Sequence, residues 1–370
     1  MADHAILIVS NGYGEDAVGN ELAGVLHALG AGVLAFPLVG LGHSYRNVPL
    51  LDPRRTLPSG GFAFRGSWRL MLAELRAGAW SLWRQQRHAL RRQRGHHSHI
   101  VAIGDAYGLW MAAHAGAPVV FIATANSEYH DPFGWMARKV IRRYASVTYA
   151  RDQLTVDALI VHGISARFVG NPLMDVIEAG QLPPRPVPVV VLLPGSRDDA
   201  AKNLTTLLQL CAVLQRTRPI TFICALPATL TPEAVQRAIF PIGWQERDGT
   251  LESEQTQVLI SRSFGPAVRA ADVVVGLAGT ANEQAAGLGK PVVVFPITGA
   301  QYTARFMRLQ HRLLGDALVP ARDRHDAAAA VLRLLDDASE RARRGQAGRE
   351  RMGQPGAVRR IASALLADQA

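Results

Sequence analysis

Residues 272–301 constrain the fold of this 370-residue chain more than any other stretch. Val273–Val275 is a short β-branched run of the kind that forms a buried strand. Gly276, Gly279 and Thr280 make a tight turn that opens a helix running to about Leu288. Gly289, Lys290 and Pro291 stop that helix, and Val292–Phe295 reads as the next strand. Two buried strands joined through a helix form a parallel βαβ unit, because a hairpin leaves no room for the helix.

The same turn carries chemistry. A Gly-Thr turn at a helix N-terminus offers free backbone N–H groups and the positive end of the helix dipole, which suits a diphosphate. Glu283 and Gln284 lie just inside the helix, and Gln301 lies just after the following strand. Together they are placed to hold a ribose and a sugar beside that diphosphate. The stretch reads as a nucleotide-sugar pocket.

The alternation runs through the rest of the chain. Residues 5–9, 33–39, 100–103, 118–123 and 146–149 read as buried strands of a parallel sheet, with helical patterns between most of them. Pro183, Pro184, Pro186 and Pro188 fit neither a helix nor a central strand, so residues 181–188 read as a linker. Beyond it come a strand at 189–193, a helix at 202–216, and strands at 220–225 and near 257–260. The expectation is an α/β chain with two Rossmann-like domains, 1–180 and 189–352, facing a central cleft at the strand C-termini. The tail, 353–370, holds a helix at 357–368 that can belong to either half.

Composition narrows the class. A net charge of +10 favours an anionic partner: phosphates, a membrane surface or nucleic acid. Cys211 and Cys224 make neither a metal-ligand spacing nor a disulfide framework, which fits a reducing cytoplasm. Ala5–Val9 is too short for a signal peptide. The apolar stretch Ile100–Ala125 is broken by Asp105, His114 and Pro118, so no membrane span is expected.

Ser10–Ala17 follows the first strand and fits the loose G-x-G-x-x-G/A pattern of dinucleotide folds. That reading needs an acidic residue closing the second strand, and Val33–Val39 with its flanks has none, so NAD is not expected. Gly12, Gly14 and Glu15 read instead as an acceptor-facing loop. In Leu193–Arg197, Gly195 and Ser196 open a strand-to-helix turn that allows close backbone approach, and Arg197 can fork onto phosphate oxygens. Asp105 closes the strand Ile100–Ile103, where it can serve as a general base or, equally, cap a helix at 107–115. Asp16 and Glu15 are rival bases.

Between Arg65 and Arg94 the chain interleaves eight arginines with Trp68, Trp80, Trp83 and several leucines, against the single acid Glu74. That composition suits an anionic membrane interface, and also the surface helices of a basic protein. No nucleic-acid motif accompanies the charge, so nucleic acid is not expected. His96, His97 and His99 lack a partnering Cys or Asp cluster, so no metal site is expected there. No nucleophile elbow, Walker loop or H-E-x-x-H motif supports a hydrolase, a kinase or a zinc protease.

Taken in order, several elements resemble the GT-B glycosyltransferases, and most of all the lipid-A-disaccharide synthases. They are the Gly-rich turn with Asp16 and Gly19, the strand-ending Asp105-Ala106, Phe168–Asp175, Leu192–Arg197, and Gly279-Thr280. The resemblance implies a UDP-sugar donor, a lipid-linked acceptor, inversion at the anomeric carbon, no metal and no cofactor. It also implies peripheral attachment to the inner face of the cytoplasmic membrane and a C-terminal helix crossing back to the N-terminal half. Gly279–Gln301 is similar to the peptidoglycan N-acetylglucosaminyltransferases, where a glutamate grips the ribose and a glutamine near Gln301 grips the sugar.

Two departures stand out. The family glutamate position holds Gln284, with Glu283 one residue early, about 100° away around the helix. The N-terminal turn lacks the family's Gly-Glu-x-Ser-Gly-Asp and has Glu15-Asp16 in place of its Gly-Asp. A related paralogue, rather than the lipid A enzyme itself, is expected. The non-hydrolysing UDP-N-acetylglucosamine 2-epimerases share an element like Gly170–Asp175, but their Gly-Thr-Arg-Pro-Glu signature is missing here. A catalytically silent nucleotide-sugar-binding protein is the remaining alternative.

Overall fold

The computed structural model describes residues 5–56, 78–116, 118–197 and 199–367. The chain divides into two compact units: Met1–Val176 together with Gln354–Ala370, and Ile177–Gly353.

In unit 1 the order is β1 (Ile6–Ser10), α1 (Tyr13–Ala28), β2 (Val33–Pro37), α2 (Ala79–Arg92), β3 (Ile100–Gly104) and α3 (Ala106–Ala112). It continues with β4 (Val119–Ala123), α4 (Trp135–Tyr144), β5 (Ala145–Ala150), α5 (Gln153–Val161) and β6 (Ala166–Arg167). The strands lie in the order β2-β1-β3-β4-β5-β6, and every pairing is parallel. β1, β3 and β4 are buried along their whole length, so they read as continuous apolar runs rather than as alternation.

Period-2 geometry splits these strands between two cores. Leu7, Val9, Phe36, Ala102 and Phe121 face one side, with Leu90 of α2, Met111 of α3, Ile141 of α4 and Leu159 of α5. Ile6, Ile8, Val101, Ile103 and Ile122 face the other, with Val18, Leu22 and Leu26 of α1. The second core also receives Val358, Ile361 and Leu365 from the last helix, α13 (Ala357–Ala367; the intervening helices are given below).

The motif at Phe168–Asp175 receives that helix. The Asp175 carboxylate accepts hydrogen bonds from the N–H groups of Gly356 and Val358, satisfying donors at the helix N-terminus. Arg360 Nε donates to the Val169 carbonyl at 2.8 Å. Gly170 sits at φ +98, and a β-carbon there would press on the Gln354 carbonyl, so this crossing needs glycine.

Unit 2 runs β7 (Val189–Leu193), α6 (Ala200–Gln215), β8 (Thr221–Ala225), α7 (Pro232–Ile239), β9 (Gln245–Arg247), β10 (Thr250–Glu252), β11 (Gln257–Ser261) and α8 (Phe264–Ala270). Then follow β12 (Val273–Gly276), α9 (Thr280–Gly287), β13 (Val292–Val294), α10 (Ala304–Leu314), β14 (Leu318–Pro320), α11 (Arg324–Asp336) and α12 (Ala338–Met352). The strand order is β14-β13-β12-β7-β8-β11-β10-β9.

Most strand boundaries fall within two residues of the sequence expectation. The differences are informative. β9 and β10 form an antiparallel hairpin, turned by Asp248 at φ 46 and Gly249 at φ 75. Two successive positive φ values define the turn that matches strand twist, and Asp-Gly is its sequence signal. β6 and β14 are too short to register as hydrophobic runs. Residues 181–188 form neither helix nor strand and lie within unit 2, so the change of unit falls at Val176–Ile177.

Candidate functional site

β13, β12 and β7 are adjacent and parallel, so the loops after them leave from one edge of the unit 2 sheet. Gly195, at φ +84, lies in the loop after β7, and a β-carbon there would stand 3.2 Å from the Leu277 carbonyl in the loop after β12. Asn203 of α6 ties these loops from beneath, with Nδ2 donating to Pro194 O at 2.9 Å and reaching Leu277 O at 3.4 Å. α9 then starts at Gly279 with no side-chain cap, leaving first-turn N–H groups at the positive end of the helix.

Exposed side chains gather around that opening. Arg197 donates to Gln301 Oε1 at 2.8 Å across 104 residues of sequence. The Gln301 N–H donates to Asp199 Oδ2 at 2.8 Å, and Lys202 Nζ donates to Thr298 O at 2.6 Å, fixing the loop after β13. Ser196 and Thr280 are exposed, Gln284 is partly exposed, and Glu283 is buried. The structure thus brings Gly195, Ser196, Arg197, Gly279, Thr280 and Gln301 to one sheet edge, with Glu283 on the inner side of α9.

Sequence reasoning missed what holds this edge together. Buried Gln310 of α10 donates from Nε2 to Ala278 O (3.2 Å) and Gly279 O (3.0 Å). Its Oε1 accepts from Asn282 Nδ2 at 2.9 Å and Tyr302 Oη at 2.7 Å. One side chain therefore pins the turn before α9, α9 itself and the loop after β13. A β-carbon on Gly276 would collide with the Asn282 amide, so the strand must end in glycine for this network to close.

In unit 1, the C-terminal ends of β1, β3, β4 and β5 bring Asn11, Asp105, Thr124 and Arg151 to one edge. Asp105 Oδ1 accepts from the Gly108 N–H at 2.9 Å and from Asn11 Nδ2 at 2.8 Å. It is the N-cap of α3, the structural alternative considered from sequence. Glu15, in the first turn of α1, accepts from Thr124 Oγ1 at 3.1 Å. Burial holds its carboxyl above the usual range, aided by the Asp105 charge and opposed by hydrogen bonds and Arg151.

Asp16 is corrected as a rival base. It has no exposed surface, so it cannot touch an acceptor. Ser10 Oγ donates to Asp16 Oδ1 at 2.6 Å and lies 2.8 Å from the Tyr45 hydroxyl. Burial pushes the Asp16 carboxyl up to about 7. Gly19 supplies the space through which the Tyr45 hydroxyl reaches Ser10. Gly14 is exposed with no close neighbour, and a β-carbon on Gly12 would meet the Glu15 carboxylate.

The Arg65–Arg94 segment is only partly described: residues 57–77, including Arg65, Trp68, Arg69, Glu74 and Arg76, lie outside the described residues. The remainder is α2. Trp80 is 60% exposed and stacks on Trp83 with ring centroids 4.7 Å apart; Arg84, Arg91, Arg92 and Arg94 are exposed. Arg87 lies over the Trp83 ring at 5.4 Å and donates to His114 Nε2 at 2.8 Å. On the same face of the sheet, α4 opens on Trp135 and Met136, 69% and 64% exposed, followed by exposed Lys139, Arg142 and Arg143. The sequence reading did not single out α4.

No group of three His, Cys, Asp or Glu placed to hold a metal occurs among the described residues. His97 is engaged with Ala5 O and Gln93 Oε1, each at 2.9 Å. No described helix is long and apolar enough to cross a membrane.

No family model matches the chain. Among curated proteins it is 30% identical over 253 residues to the lipid-A-disaccharide synthase of Thiobacillus denitrificans, covering 62% of this chain and 64% of the relative. It is 27% identical over 233 residues to the protein of that name in Trichlorobacter lovleyi, covering 55% and 57%. The match therefore spans about three fifths of the length of these relatives. Among solved structures, the calicheamicin glycosyltransferase CalG4 superposes with a TM-score of 0.64 at 15% identity, over 99% of this chain and 98% of that one. MurG of Acinetobacter baumannii gives 0.60 at 13% over 98% and 99%. The UDP-GlcNAc 2-epimerase of Neisseria meningitidis, bound to UDP-GlcNAc, gives 0.61 at 12% over 98% and 100%. The chain is a sequence relative of the lipid-A-disaccharide synthases with the two-unit α/β fold of the GT-B glycosyltransferases and UDP-GlcNAc 2-epimerases.

Proposed function

We propose that this protein is an inverting glycosyltransferase that moves a sugar from a UDP-sugar to a lipid or lipid-linked acceptor. The observation that carries the reading is the unit 2 edge. There the uncapped N-terminus of α9, the exposed guanidinium of Arg197 and the Arg197–Gln301 hydrogen bond meet at the ends of three parallel strands. The donor diphosphate would rest on the Gly279-Thr280 turn and Arg197, with Gln301 toward the sugar and Glu283 or Gln284 toward the ribose. As UDP leaves, its charge would be stabilised by the helix dipole and Arg197, a metal-independent arrangement. An epimerase reading shares the fold and the donor pocket. It is separated by the acceptor, which an epimerase does not use.

A lipid acceptor is supported by the paired faces of α2 and α4. Both helices run antiparallel to the strands, so Trp80, Trp135 and Met136 sit near the strand C-terminal edge that carries Glu15 and Asp105. Indole and thioether side chains beside exposed arginines suit an anionic leaflet, here the inner face of the cytoplasmic membrane.

The test is a titration with UDP, UDP-GlcNAc, UDP-glucose and NAD, followed by incubation of the bound donor with a total lipid extract. UDP release that depends on lipid is expected. A C2 epimer formed from donor alone would replace this reading with the epimerase, and absence of uridine-nucleotide binding would remove the pocket. Arg197→Ala is expected to weaken UDP binding about tenfold or more by isothermal titration, the loss of a charge-assisted phosphate contact.

A further inference from the structure

An exposed arginine has many rotamers open to it, and fixing one of them costs free energy whenever a ligand binds. Arg197 is exposed, yet its guanidinium is already engaged, with Nη1 donating to Gln301 Oε1 at 2.8 Å. A guanidinium can only donate, so the amide oxygen of Gln301 must be the atom that faces it. The contact uses one of five N–H donors and does not exhaust the arginine's capacity for phosphate oxygens.

Gln301 is itself held through its main chain. Its N–H donates to Asp199 Oδ2 at 2.8 Å, and its carbonyl accepts from the Thr303 N–H at 2.9 Å. Asp199 stands at the N-cap of α6 but makes no side-chain cap bond there. Aspartate at that position ordinarily caps its own helix; this one reaches across 102 residues of sequence to Gln301 instead. Beneath the same loop, Gly299 at φ +71 leaves the room in which the Lys202 ammonium meets Thr298 O. The next residue completes the circuit. Tyr302 Oη donates to Gln310 Oε1, and Gln310 Nε2 donates to the carbonyls of Ala278 and Gly279 before α9. Contacts therefore run from the Arg197 guanidinium, through Gln301 and Tyr302, to the turn that opens α9. Two anion-binding features on separate loops are set at a fixed bearing before any ligand arrives.

We propose that Gln301 is a positioning residue: it aims the Arg197 guanidinium so that the arginine and the N-terminus of α9 present one preformed diphosphate cradle. This rests on the donor-pocket reading above and lies wholly within unit 2. Such preorganisation raises affinity by removing an ordering cost from the binding step. The benefit falls on the phosphates, which every UDP-sugar shares, so Gln301 governs how tightly UDP is held whatever the sugar. The Gln301 Nε2 remains for a sugar hydroxyl, a separate contact that UDP alone does not make.

The experiment titrates wild type, Gln301→Ala, Arg197→Ala and the double variant with UDP, UDP-GlcNAc and UDP-glucose. Gln301→Ala is expected to weaken UDP about threefold to tenfold, the weight of ordering one long side chain on binding. Every UDP-sugar that binds wild type should be weakened by at least as much. In the Arg197→Ala background the same change should alter UDP affinity by less than about twofold, because Gln301 then has no arginine to aim. Gln301→Ala that weakens a UDP-sugar but leaves UDP within about twofold of wild type would make Gln301 a sugar contact and overturn the proposal. Equal losses in both backgrounds would also overturn it, since Gln301 would then act without Arg197. Asp199→Asn and Asp199→Ala remove the same charge, but only asparagine keeps an acceptor for the Gln301 N–H. UDP should therefore bind the alanine variant more weakly, and equal or tighter binding would remove the fixed bearing on which the proposal depends. A wild-type protein that binds no uridine nucleotide would bring down the donor pocket itself, a result separate from any difference among variants.

Discussion

At the scale of single residues, Asp16 makes the sharpest claim. It has no exposed surface, and its carboxyl sits at about 7 in the folded chain against 3.8 when unperturbed. Because the folded value is raised, the contribution is fully present below about pH 4. It is lost as pH rises through 7, where a charge is forced into the core. Asp16→Asn removes that titration. The Tm of the variant relative to wild type is therefore expected to climb between pH 4.5 and 7 and to level off above, worth at most about 4 kcal/mol. Thermal melts across that range check it; a difference independent of pH would refute it. Asp16 also shows where sequence reading stops at this scale. An acid after a Gly-rich turn signals the turn, but whether it faces solvent or core depends on Ser10 and on Tyr45 reaching in past Gly19. Arg197 and Gln301 stand in the loops after β7 and β13, which the β-branched runs of those strands announce, while the hydrogen bond that joins them needs the fold.

At the scale of elements, the strand–turn–helix units were legible and their fastenings were not. Val273–Val275, the Gly-Thr turn and the helix after it are local, so composition reveals them. Gln310 acts on Ala278 and Gly279 from more than thirty residues away, through main-chain carbonyls that any sequence would have. Read alone, it is one polar residue on an amphipathic helix. Its geometry predicts that Gln310→Leu lowers UDP affinity about tenfold, because the first-turn N–H groups of α9 lose their fixed bearing. Stability should fall by roughly 1–3 kcal/mol from the buried partners left unpaired. Calorimetric titration alongside thermal melts separates the effects: reduced Tm with unchanged UDP affinity would make Gln310 a stabilising residue only. The Asp248-Gly249 hairpin differs in kind. Its signal is local and present, and only its very short strands, three residues each, hid it.

At the scale of the whole molecule, the division into two α/β units follows from the restart of alternation after the prolines, while the chemistry of the outer faces needs the fold. α2 and α4 are separated by two strands and a helix in sequence, yet they cover one face of the same sheet. Only that arrangement adds the exposed Trp135 and Met136 to Trp80 and its arginines. The double change Trp135→Ser with Met136→Ser is expected to reduce binding to phosphatidylglycerol vesicles severalfold in co-sedimentation, as apolar insertion adds to charge attraction. Binding to phosphatidylcholine vesicles should be weak throughout. Equal sedimentation of variant and wild type would remove α4 from the membrane face.

The seat that Asp175 provides for α13 has a consequence for the order in which the protein comes into being. Unit 2 is one uninterrupted stretch, 177–353, whereas unit 1 begins the chain and is closed by residues after Gly353. A ribosome therefore delivers every residue of unit 2 before it delivers the last apolar side chains of unit 1. Until Val358, Ile361 and Leu365 emerge, the α1 side of β1 and β3 lacks their cover. Burying such aliphatic side chains contributes about 1.5–3 kcal/mol each, a large share of a domain's net stability. The half translated first is the half completed last.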